Sequence, residues 1–376
     1  MSKSVANLVF NTFINDSRVL KESISLSNAG YKVEVIAHLD KDLPETEETT
    51  GFIIKRFSYL DRKITTNKFF KLNAYFKYIK KSVNYCKTFD ILHCNDLNTL
   101  PIAFIIKKFY NKQIKVVYDA HEYEINAIAE QSKRNIKINY YIEKFLIQYA
   151  DRIITVSNSI ADAYVELYGI SKPALVLNTP AFKEIFKKNI FRDTFDISND
   201  NTIFLYQGAL LKGRGVEILL DTFNNLSDTK AVIIFMGYGE LEETIKQSSK
   251  RHSNIYFHEA VDSSILLDYT SSADFGISTI EDSCLSYRYS LPNKIFEYLM
   301  AKIPIIVSNL PEMKNFVQKN AVGIVVKENS PQGLQFAIKE ALLLDQEEIM
   351  TQIEKVKKTY NWEEQERILL NLYSSL

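Results

Sequence analysis

The chain has 376 residues. A single hydrophobic core seldom supports so long a chain, so we expect two domains. Its 46 basic and 46 acidic residues give no net charge at pH 7, which argues against a nucleic-acid-binding protein. Three cysteines without CxxC spacing argue against a disulfide framework and a zinc site, and favour a reducing cytoplasm. We find no signal-peptide pattern, and the apolar runs are far shorter than the roughly 20 residues of a membrane span, so membrane contact is expected to be peripheral.

Short apolar runs alternate with helical patterns along almost the whole chain, which is typical of parallel strands covered by helices on both faces. The predicted strands are Leu8–Phe10, Lys32–Ala37, Phe52–Phe57, Ile91–His93, Val116–Tyr118, Ile153–Val156, Leu175–Leu177, Ile203–Gln207, Ala231–Met236, Ile255–His258, Phe275–Ser278, Ile305–Val307 and Gly323–Val326. The longer helical patterns include Ser17–Ala29, Ile136–Tyr149, Val216–Asn225 and Pro331–Leu344. This alternation predicts an α/β protein with two doubly wound, Rossmann-like domains that face a central cleft and bind ligands at the carboxyl ends of their strands.

A charged stretch without strand periodicity, Lys183–Asn201, marks the break between the predicted domains. We place an N-terminal domain at residues 1–185, a C-terminal domain at 186–360 and a final helix at 361–376 that packs back toward the N-terminal domain. Residues 1–185 contain 26 basic and 20 acidic side chains, which leaves 20 basic and 26 acidic ones for the rest. The N-terminal half is therefore positively charged and the C-terminal half negatively charged.

The first predicted helix begins with a cation, against the usual charge preference. Asp16 or Ser17 is a good N-cap, and Arg18 then lies in the first turn, where the helix dipole disfavours positive charge. An anionic ligand, a partner carboxylate or a buried structural salt bridge would each explain this arrangement. We assign Asn15, Asp16 and Arg18 to a part of the site that would bind an anionic group.

A basic and aromatic segment occupies residues 62–81. It carries seven cations and no acid, with five aromatic residues interleaved. Such a helix is typical of an element that lies on a membrane surface, so we predict peripheral contact with anionic membrane at its inner face. An RNA-binding patch, which the neutral overall charge disfavours, and a helix whose aromatic residues face the domain core are the alternatives.

Polar side chains follow another predicted strand of this half. Asp119 and His121 come directly after the strand Val116–Tyr118, at the end that would face the cleft. His121 is suited to hydrogen-bond a sugar hydroxyl or to hold a backbone carbonyl. No second histidine follows at the zincin spacing, so we predict no metal site. Asp96, at the end of an earlier strand, is interpreted as the N-cap of a helix over residues 97–108.

The first strands of the C-terminal half end in glycines. Gly208 precedes a basic loop that contains Arg214, and Gly237 and Tyr238 end the next strand. Glycines let the backbone approach a ligand, and a guanidinium forks onto phosphate. A tight turn with solvated cations is the alternative reading at each place. Further along, Val261 is placed to offer backbone groups to a base edge, and Glu281 lies in a polar loop that suits a sugar or is an ordinary surface loop.

The segment SLPNKIFEYLMAKIPIIVS, residues 290–308, carries the most information. It predicts a Pro-started helix, a turn and a buried strand, with Asn293 and Lys294 at the helix start and Glu297 about one turn further on. A helix N-terminus and a lysine favour phosphate, and a carboxylate accepts hydrogen bonds from a ribose diol. These three residues therefore suit a nucleoside diphosphate, whereas a plain amphipathic helix is the alternative.

Nearly the whole chain resembles the retaining glycosyltransferases of family 4, which have the GT-B fold. The resemblance rests on the order and spacing of the segments NDSRVLKESISLSNAGYKVEVI, VVYDAHEYE, ADRIITVSNSIADAYVELYG, VLNTP, YQGALLKGRGVEILL, GYGELEE, SLPNKIFEYLMAKIPIIVS and YNWEEQE. It implies transfer of a sugar from a nucleotide diphosphate sugar, without a cofactor or metal, to a glycan or lipid-linked acceptor in cell-surface polysaccharide or glycolipid synthesis. In such proteins the N-terminal domain binds the acceptor and the C-terminal domain binds the donor.

The resemblance also implies roles for particular residues. Glu297 matches the ribose-binding glutamate, Arg214 falls where a phosphate-binding lysine usually stands, and Lys294 would serve the diphosphate. His121 falls on the position that contacts the transferred sugar, so that His121, Arg214 and Lys294 are the predicted catalytic residues. The remaining residues of the predicted donor site are Gly208, Gly237, Tyr238, Val261 and Asn293. The residues placed on the acceptor or phosphate side are Asn15, Asp16, Arg18 and Glu281.

Three departures from the family pattern leave alternatives open. Ala209 stands where an arginine is common, Tyr289 replaces a paired glutamate, and residues 11–15 replace a glycine-rich loop. A nucleotide-sugar 2-epimerase and a non-catalytic subunit of the same fold are therefore the competing interpretations.

Overall fold

The structure, a computed structural model, describes residues 2–58, 68–226 and 230–376. The chain folds as two compact units. Unit 1 comprises the residues up to Leu177 together with Glu366–Leu376, and unit 2 comprises Asn178–Gln365. The positions 185 and 360, at which composition divides the sequence, lie eight residues after the first of these points and six residues before Glu366.

Unit 1 contains an eight-stranded sheet flanked by helices. Its strands are β1 (Ser4–Leu8), β2 (Lys32–Leu39), β3 (Thr46–Glu48), β4 (Ile53–Ser58), β5 (Ile91–Asn95), β6 (Lys115–Ala120), β7 (Arg152–Thr155) and β8 (Ala174–Leu175). Its helices are α1 (Ser17–Asn28), α2 (Lys68–Cys86), α3 (Leu100–Phe109), α4 (Lys133–Leu146) and α5 (Asn158–Tyr168), with 3-10 turns at Glu124–Asn126 and Ile147–Tyr149. The strand order is β3-β4-β2-β1-β5-β6-β7-β8, parallel except for β3.

Unit 2 contains a six-stranded parallel sheet in the order β11-β10-β9-β12-β13-β14. Its strands are β9 (Thr202–Ala209), β10 (Ala231–Tyr238), β11 (Ile255–Glu259), β12 (Phe275–Ser278), β13 (Ile305–Val307) and β14 (Gly323–Val325). Its helices are α6 (Ile190–Phe195), α7 (Val216–Asn224), α8 (Glu242–Ser249), α9 (Leu266–Thr270), α10 (Leu285–Arg288), α11 (Asn293–Met300), α12 (Pro311–Asn320), α13 (Pro331–Leu342) and α14 (Gln346–Thr359). The last helix, α15 (Trp362–Ser374), begins in unit 2 and ends in unit 1.

Each strand predicted from the sequence overlaps an observed one, but two overlap by a single residue. The prediction of Leu8–Phe10 shares only Leu8 with β1, and that of Leu175–Leu177 shares only Leu175 with β8. The short strand β3 was missed because its three residues are exposed and polar, so no buried pattern marks it. The helix predicted over residues 97–108 begins only at Leu100, and Thr99 occupies its N-cap. The interpretation of Asp96 as that N-cap is wrong, because its backbone has a left-handed φ of 61° and ends strand β5 in a turn.

Most helices that were predicted lie where their patterns indicate, because each buries one apolar stripe against its sheet. In unit 2, the close fit of α11 to β12 depends on a glycine: a Cβ at Gly276 would lie 2.2 Å from the Tyr298 ring. Within the described part of the chain, no helix is both long enough and apolar enough to cross a bilayer.

Candidate functional site

The carboxyl ends of β9 and β10 are held together by glycine contacts. Gly208 has a φ of 111°, and a Cβ at Gly237 would lie 1.9 Å from the Gly208 carbonyl oxygen. The Leu210 N–H donates to Tyr238 O over 2.9 Å, which fixes the loop after β9 on the neighbouring strand. Gly237 is therefore required by the packing of two backbones, so the structural-turn alternative accounts for its presence, and the positive φ of Gly208 likewise favours glycine.

Lys294 lies beside Gly208 at the end of β9. It lies in the first turn of α11, and its Nζ is 3.8 Å from the Tyr206 ring centroid, a cation–π contact. A Cβ at Gly208 would lie 3.8 Å from the same Nζ. The ammonium group is thus held at the end of β9 against an aromatic face, beside Gly208.

The charge on Lys294 is disfavoured in the free protein. Burial lowers its pKa, the charge of Arg214 lowers it further and Glu297 acts in the opposite direction, and the result is a pKa of about 7. A bound anion would reverse this shift, because it would compensate both cations. An amine with a strongly lowered pKa beside a second cation is a frequent property of ligand and catalytic sites.

Glu297 is oriented by a short chain of hydrogen bonds. Its Oε2 accepts a hydrogen bond of 2.6 Å from Gln207 Nε2, and Gln207 Oε1 accepts one of 2.8 Å from the buried Thr270 hydroxyl. The Gln207 backbone N–H donates to the Tyr298 hydroxyl over 3.0 Å. The carboxylate one turn into α11 therefore has a fixed position relative to the end of β9.

Arg214 lies in the loop between β9 and α7. Its guanidinium carbon is 4.7 Å from the Tyr287 ring centroid, and its buried Nε has no hydrogen-bond partner among the described residues. The loop conformation depends on Gly215, whose φ is 81° and at which a Cβ would lie 2.0 Å from Thr279 O. A planar cation with an unused donor suits an oxyanion.

The other residues of the predicted donor site have less distinctive surroundings. Asn293 is exposed at the start of α11, Tyr238 is 64% exposed and Val261 is half-buried after β11. Glu281 is half-buried, and its backbone N–H donates to Gly213 O over 3.0 Å. Burial, and then the nearby Glu217, raise the pKa of Glu281.

In unit 1, Arg18 is buried in an ion pair. Its guanidinium binds the Asp119 carboxylate through Nε (2.9 Å) and Nη2 (2.7 Å) and donates to Val176 O over 2.8 Å. Glu22, one turn along α1, lies 3.2 Å from the Nε. The partner carboxylate and the buried salt bridge thus explain the cation in the first turn of α1. The role of Arg18 on the acceptor or phosphate side stays a prediction.

Asn15 and Asp16 are placed differently from each other. Asp16 is the N-cap of α1, where its side chain accepts the Val19 N–H, and it also accepts a hydrogen bond from Asn11. Asn15 is exposed. The acceptor-side role predicted for these two residues stays a prediction.

The buried Arg18–Asp119 pair belongs to a larger polar cluster. The His93 Nε2 lies 3.6 Å from both Glu22 Oε2 and Asp119 Oδ2, and its Nδ1 lies 2.7 Å from the Tyr373 hydroxyl of α15. Burial raises the pKa of Glu22 to about 7, although Arg18 opposes the shift. The ligand atoms of Glu22, His93 and Asp119 lie close enough together to hold a metal ion, but Arg18 already supplies the positive charge there.

His121 is at the edge of this cluster. Its Nε2 lies 3.0 Å from Asn95 Oδ1 and 3.4 Å from Asp119 Oδ2, and its Nδ1 lies 3.6 Å from Asp96 Oδ1. Burial lowers the pKa of His121, but the carboxylates of Asp96 and Asp119 outweigh burial and raise it to about 9. The ring is therefore a cation at neutral pH and is oriented by its neighbours.

Comparison with known proteins identifies the family. The model of Glycosyltransferase Family 4 matches residues 18–179, and that of Glycosyl transferases group 1 matches residues 201–343. The chain belongs to the family 4 glycosyltransferases. The prediction of this family and of transferase activity is confirmed.

Two curated relatives are similar over most of their length. The chitobiosyldiphosphodolichol beta-mannosyltransferase of Kluyveromyces lactis is 22% identical, over 82% of this chain and 75% of the relative. The enzyme of the same name from Debaryomyces hansenii is 23% identical, over 86% of this chain and 76% of the relative.

Solved structures show the fold. Sucrose-phosphate synthase from Thermosynechococcus elongatus has a TM-score of 0.81 at 16% identity and covers 99% of this glycosyltransferase and 98% of its own chain. Anabaena HepE in complex with UDP and glucose has a TM-score of 0.74 at 14% identity and covers both chains fully. The predicted GT-B fold, with two Rossmann-like sheets and a long C-terminal helix, is confirmed.

Several residues that shape the site of the glycosyltransferase at the end of β9 were not predicted. Gln207 and Thr270 orient Glu297, and Tyr206 faces Lys294, but Gln207 and Tyr206 lie inside a strand and Thr270 ends a short helix. The alternation of a strand shows which face a residue occupies and does not show its partner on another element. A polar Gln207 within an otherwise apolar strand was the available signal.

Proposed function

We propose that this glycosyltransferase moves a sugar, with retention of anomeric configuration, from a nucleotide diphosphate sugar bound at the end of β9. The observation that carries the proposal is the setting of Lys294, a cation with a lowered pKa held at the start of a helix beside Gly208. Glu297 follows one turn later with its position fixed by Gln207. A diphosphate and the ribose attached to it could therefore bind Lys294 and Glu297 at the same time, because the two side chains lie about one helical turn apart.

We assign some residues of the site to donor binding and others to stabilisation of the leaving group. Arg214, Lys294 and the α11 N-terminus would stabilise negative charge as the diphosphate departs, which is catalysis by preorganised charge. Glu297 would hold the ribose. Gly208, Gly237, Tyr238, Val261 and Asn293 would line the rest of the donor site, and His121 is proposed to contact the transferred sugar. The half-buried, cationic ring of His121 suits a hydrogen bond to a sugar hydroxyl.

A lipid-linked acceptor is the favoured class. The curated relatives carry a diphosphodolichol lipid in the name of their substrate. The N-terminal half, which we propose to bind the acceptor, carries the positive charge. A product for cell-surface polysaccharide or glycolipid, made at the cytoplasmic face of a membrane, fits both features.

Part of the basic segment at 62–81 supports peripheral membrane contact. Residues 62–67 lie outside the described residues. Of the rest, Phe70 and Phe76 on α2 are 51% and 58% exposed, whereas Tyr78 is buried. The alternative of a helix with core-facing aromatic residues therefore describes one side of α2, and the other side keeps exposed aromatic residues among lysines.

The pH dependence of donor binding follows from the pKa of Lys294. The free protein loses this proton near pH 7 and a bound diphosphate restores it, so binding takes up a proton above pH 7. We expect the affinity for the nucleoside diphosphate to fall by up to about tenfold per pH unit above roughly pH 7.5. Lys294→Arg, which stays charged, should give a flat profile. Calorimetric titration at several pH values checks this, and a flat wild-type profile would contradict it.

Sugar transfer itself is tested by following nucleotide sugars by proton NMR. Without an acceptor, the proposal predicts slow release of nucleoside diphosphate and free sugar, and the anomer that appears first has the configuration of the donor. The opposite anomer would refute retention, which matters because the relatives are named for a β-linked product. A nucleotide sugar converted to its epimer would instead support the 2-epimerase.

A further inference from the structure

The surface of α4 carries an apolar stripe that stays largely exposed among the described residues. Ile138, Tyr141, Ile142 and Phe145 are 44%, 57%, 43% and 50% exposed. Their spacing of three, four and seven residues places them on one side of the helix. Large apolar side chains that are grouped and exposed mark an interaction surface more often than isolated ones do.

The inward side of α4 fixes this orientation. Glu143 is fully buried, and its carboxylate accepts hydrogen bonds from the hydroxyls of Tyr118 (2.6 Å), Tyr164 and Tyr168 (2.7 Å). Glu143 is the only acid of α4, so the helix contributes no negative charge to the solvent side. The exposed stripe therefore cannot turn inward without breaking three hydrogen bonds of a buried carboxyl group.

The apolar surface continues onto α3. The Phe145 ring centroid is 5.1 Å from that of Phe104, which is 6.3 Å from that of Phe109. Phe109 is 66% exposed and Tyr110 is 56% exposed. The Lys108 Nζ lies 5.3 Å from the Phe104 ring centroid, so a cation sits directly on the aromatic group. We call residues 104–112 and 133–145 together the α3–α4 surface.

The charge of the α3–α4 surface has one sign. Its cations are Lys107, Lys108, Lys112, Lys133, Arg134, Lys137 and Lys144, and its single acid is the buried Glu143. Lys107 is paired with Asp151, which leaves six cations for a partner. A second copy of the chain would set these cations against each other, whereas an anionic partner would be attracted to them.

We propose that the α3–α4 surface lies on the anionic headgroup layer of a membrane. Aromatic rings and isoleucines would enter the interface, and lysines would extend toward lipid phosphate groups, as in interfacial amphipathic helices. The α3–α4 surface shares no residue with the segment 62–81 or with the site residues described above. The inference does not depend on which sugar is transferred, and it fails or holds independently of transferase activity.

Vesicle co-sedimentation at about 50 mM salt tests the proposal with phosphatidylcholine vesicles that contain 30% phosphatidylglycerol or none. The full chain should bind only the anionic vesicles. Lys137→Ser/Lys144→Ser should weaken binding about 25-fold, since each cation near the surface contributes about fivefold. Tyr141→Ser/Phe145→Ser should weaken it at high salt too, because it removes inserted rings. The matched control is Phe336→Ser/Lys339→Ser, an exposed aromatic and cation of α13, which should bind as wild type.

Each other outcome overturns the proposal. These are no binding to anionic vesicles, equal binding to both vesicle types, or equal binding by wild type and both α3–α4 variants. A loss caused only by Arg62→Ser/Lys63→Ser/Lys68→Ser would assign the contact to residues 62–81 instead. If the α3–α4 variants bound vesicles as wild type does but had a lower mass than wild type in analytical ultracentrifugation, the surface would instead be a contact between copies of the chain. Unchanged melting curves of the variants confirm that they fold.

Discussion

Lys294→Ala and Arg214→Ala should each lower turnover about 10²-fold or more, the effect of losing one preorganised donor to a developing oxyanion. Both cations lie near the end of β9, and each lowers the cost of diphosphate departure only if the leaving group is bound beside it. The measurement is initial-rate kinetics with the donor that proves active. We expect the loss in kcat as well as in kcat/KM, because the interaction strengthens as charge develops.

Matched controls separate this effect from a general loss of charge. Lys319→Ala and Arg251→Ala remove exposed cations of the same unit and should leave turnover unchanged. Turnover near that of wild type in Lys294→Ala or Arg214→Ala would eliminate the role assigned to that residue.

One further variant, Lys294→Met, should lose turnover without losing stability. The unfolded chain keeps the Lys294 proton up to a pH of about 10.4, whereas the folded chain releases it above about 7, so this group destabilises the fold as pH drops through that window. Lys294→Met keeps the apolar stem against Tyr206 and removes the charge. Its melting temperature at pH 7 should equal or exceed that of wild type while turnover is lost, which a purely structural lysine would not show.

Asp119→Asn should lower the free energy of unfolding by about 3–5 kcal/mol, the usual cost of breaking a buried ion pair from one side. Arg18 would remain buried with its main partner gone, and His93 and His121 would lose a neighbouring carboxylate. Urea denaturation measures the change. The matched control is Asp162→Asn, which breaks an exposed pair with Lys172 and should cost at most about 1 kcal/mol.

The same pair predicts a pH dependence. Burial alone would raise the pKa of Asp119, but Arg18 and His121 together hold it well below its usual range. A carboxyl group whose pKa is depressed by folding contributes stability above its unfolded pKa and loses it as pH falls through the folded value. The difference in stability between wild type and Asp119→Asn should therefore be largest near neutral pH and shrink in strong acid. Equal stability of the two proteins at pH 7 would contradict the ion pair.

The fold class could be predicted from the sequence because the parallel strands are short apolar runs buried on both faces. Such runs can be recognised without knowing which strands they pair with. The positions of Asn293, Lys294 and Glu297 on α11 could also be predicted from the sequence, because the start of a helix and the charge of its residues are local properties. Arg18 shows the limit: a cation in the first turn of a helix required an anion, but only the fold shows that the anion is Asp119, 101 residues away. Gln207 shows the same limit for Glu297.

The central claim is that the end of β9 binds a nucleoside diphosphate, and thermal stabilisation by UDP, GDP, ADP, TDP and CMP, each with and without Mg²⁺, tests it most directly. The account predicts that one diphosphate raises the melting temperature of wild type without metal. The rise should be lost in Glu297→Ala, in which the position that Gln207 fixes for the ribose is empty. No response to any nucleotide, or an equal response in Glu297→Ala, would contradict the account.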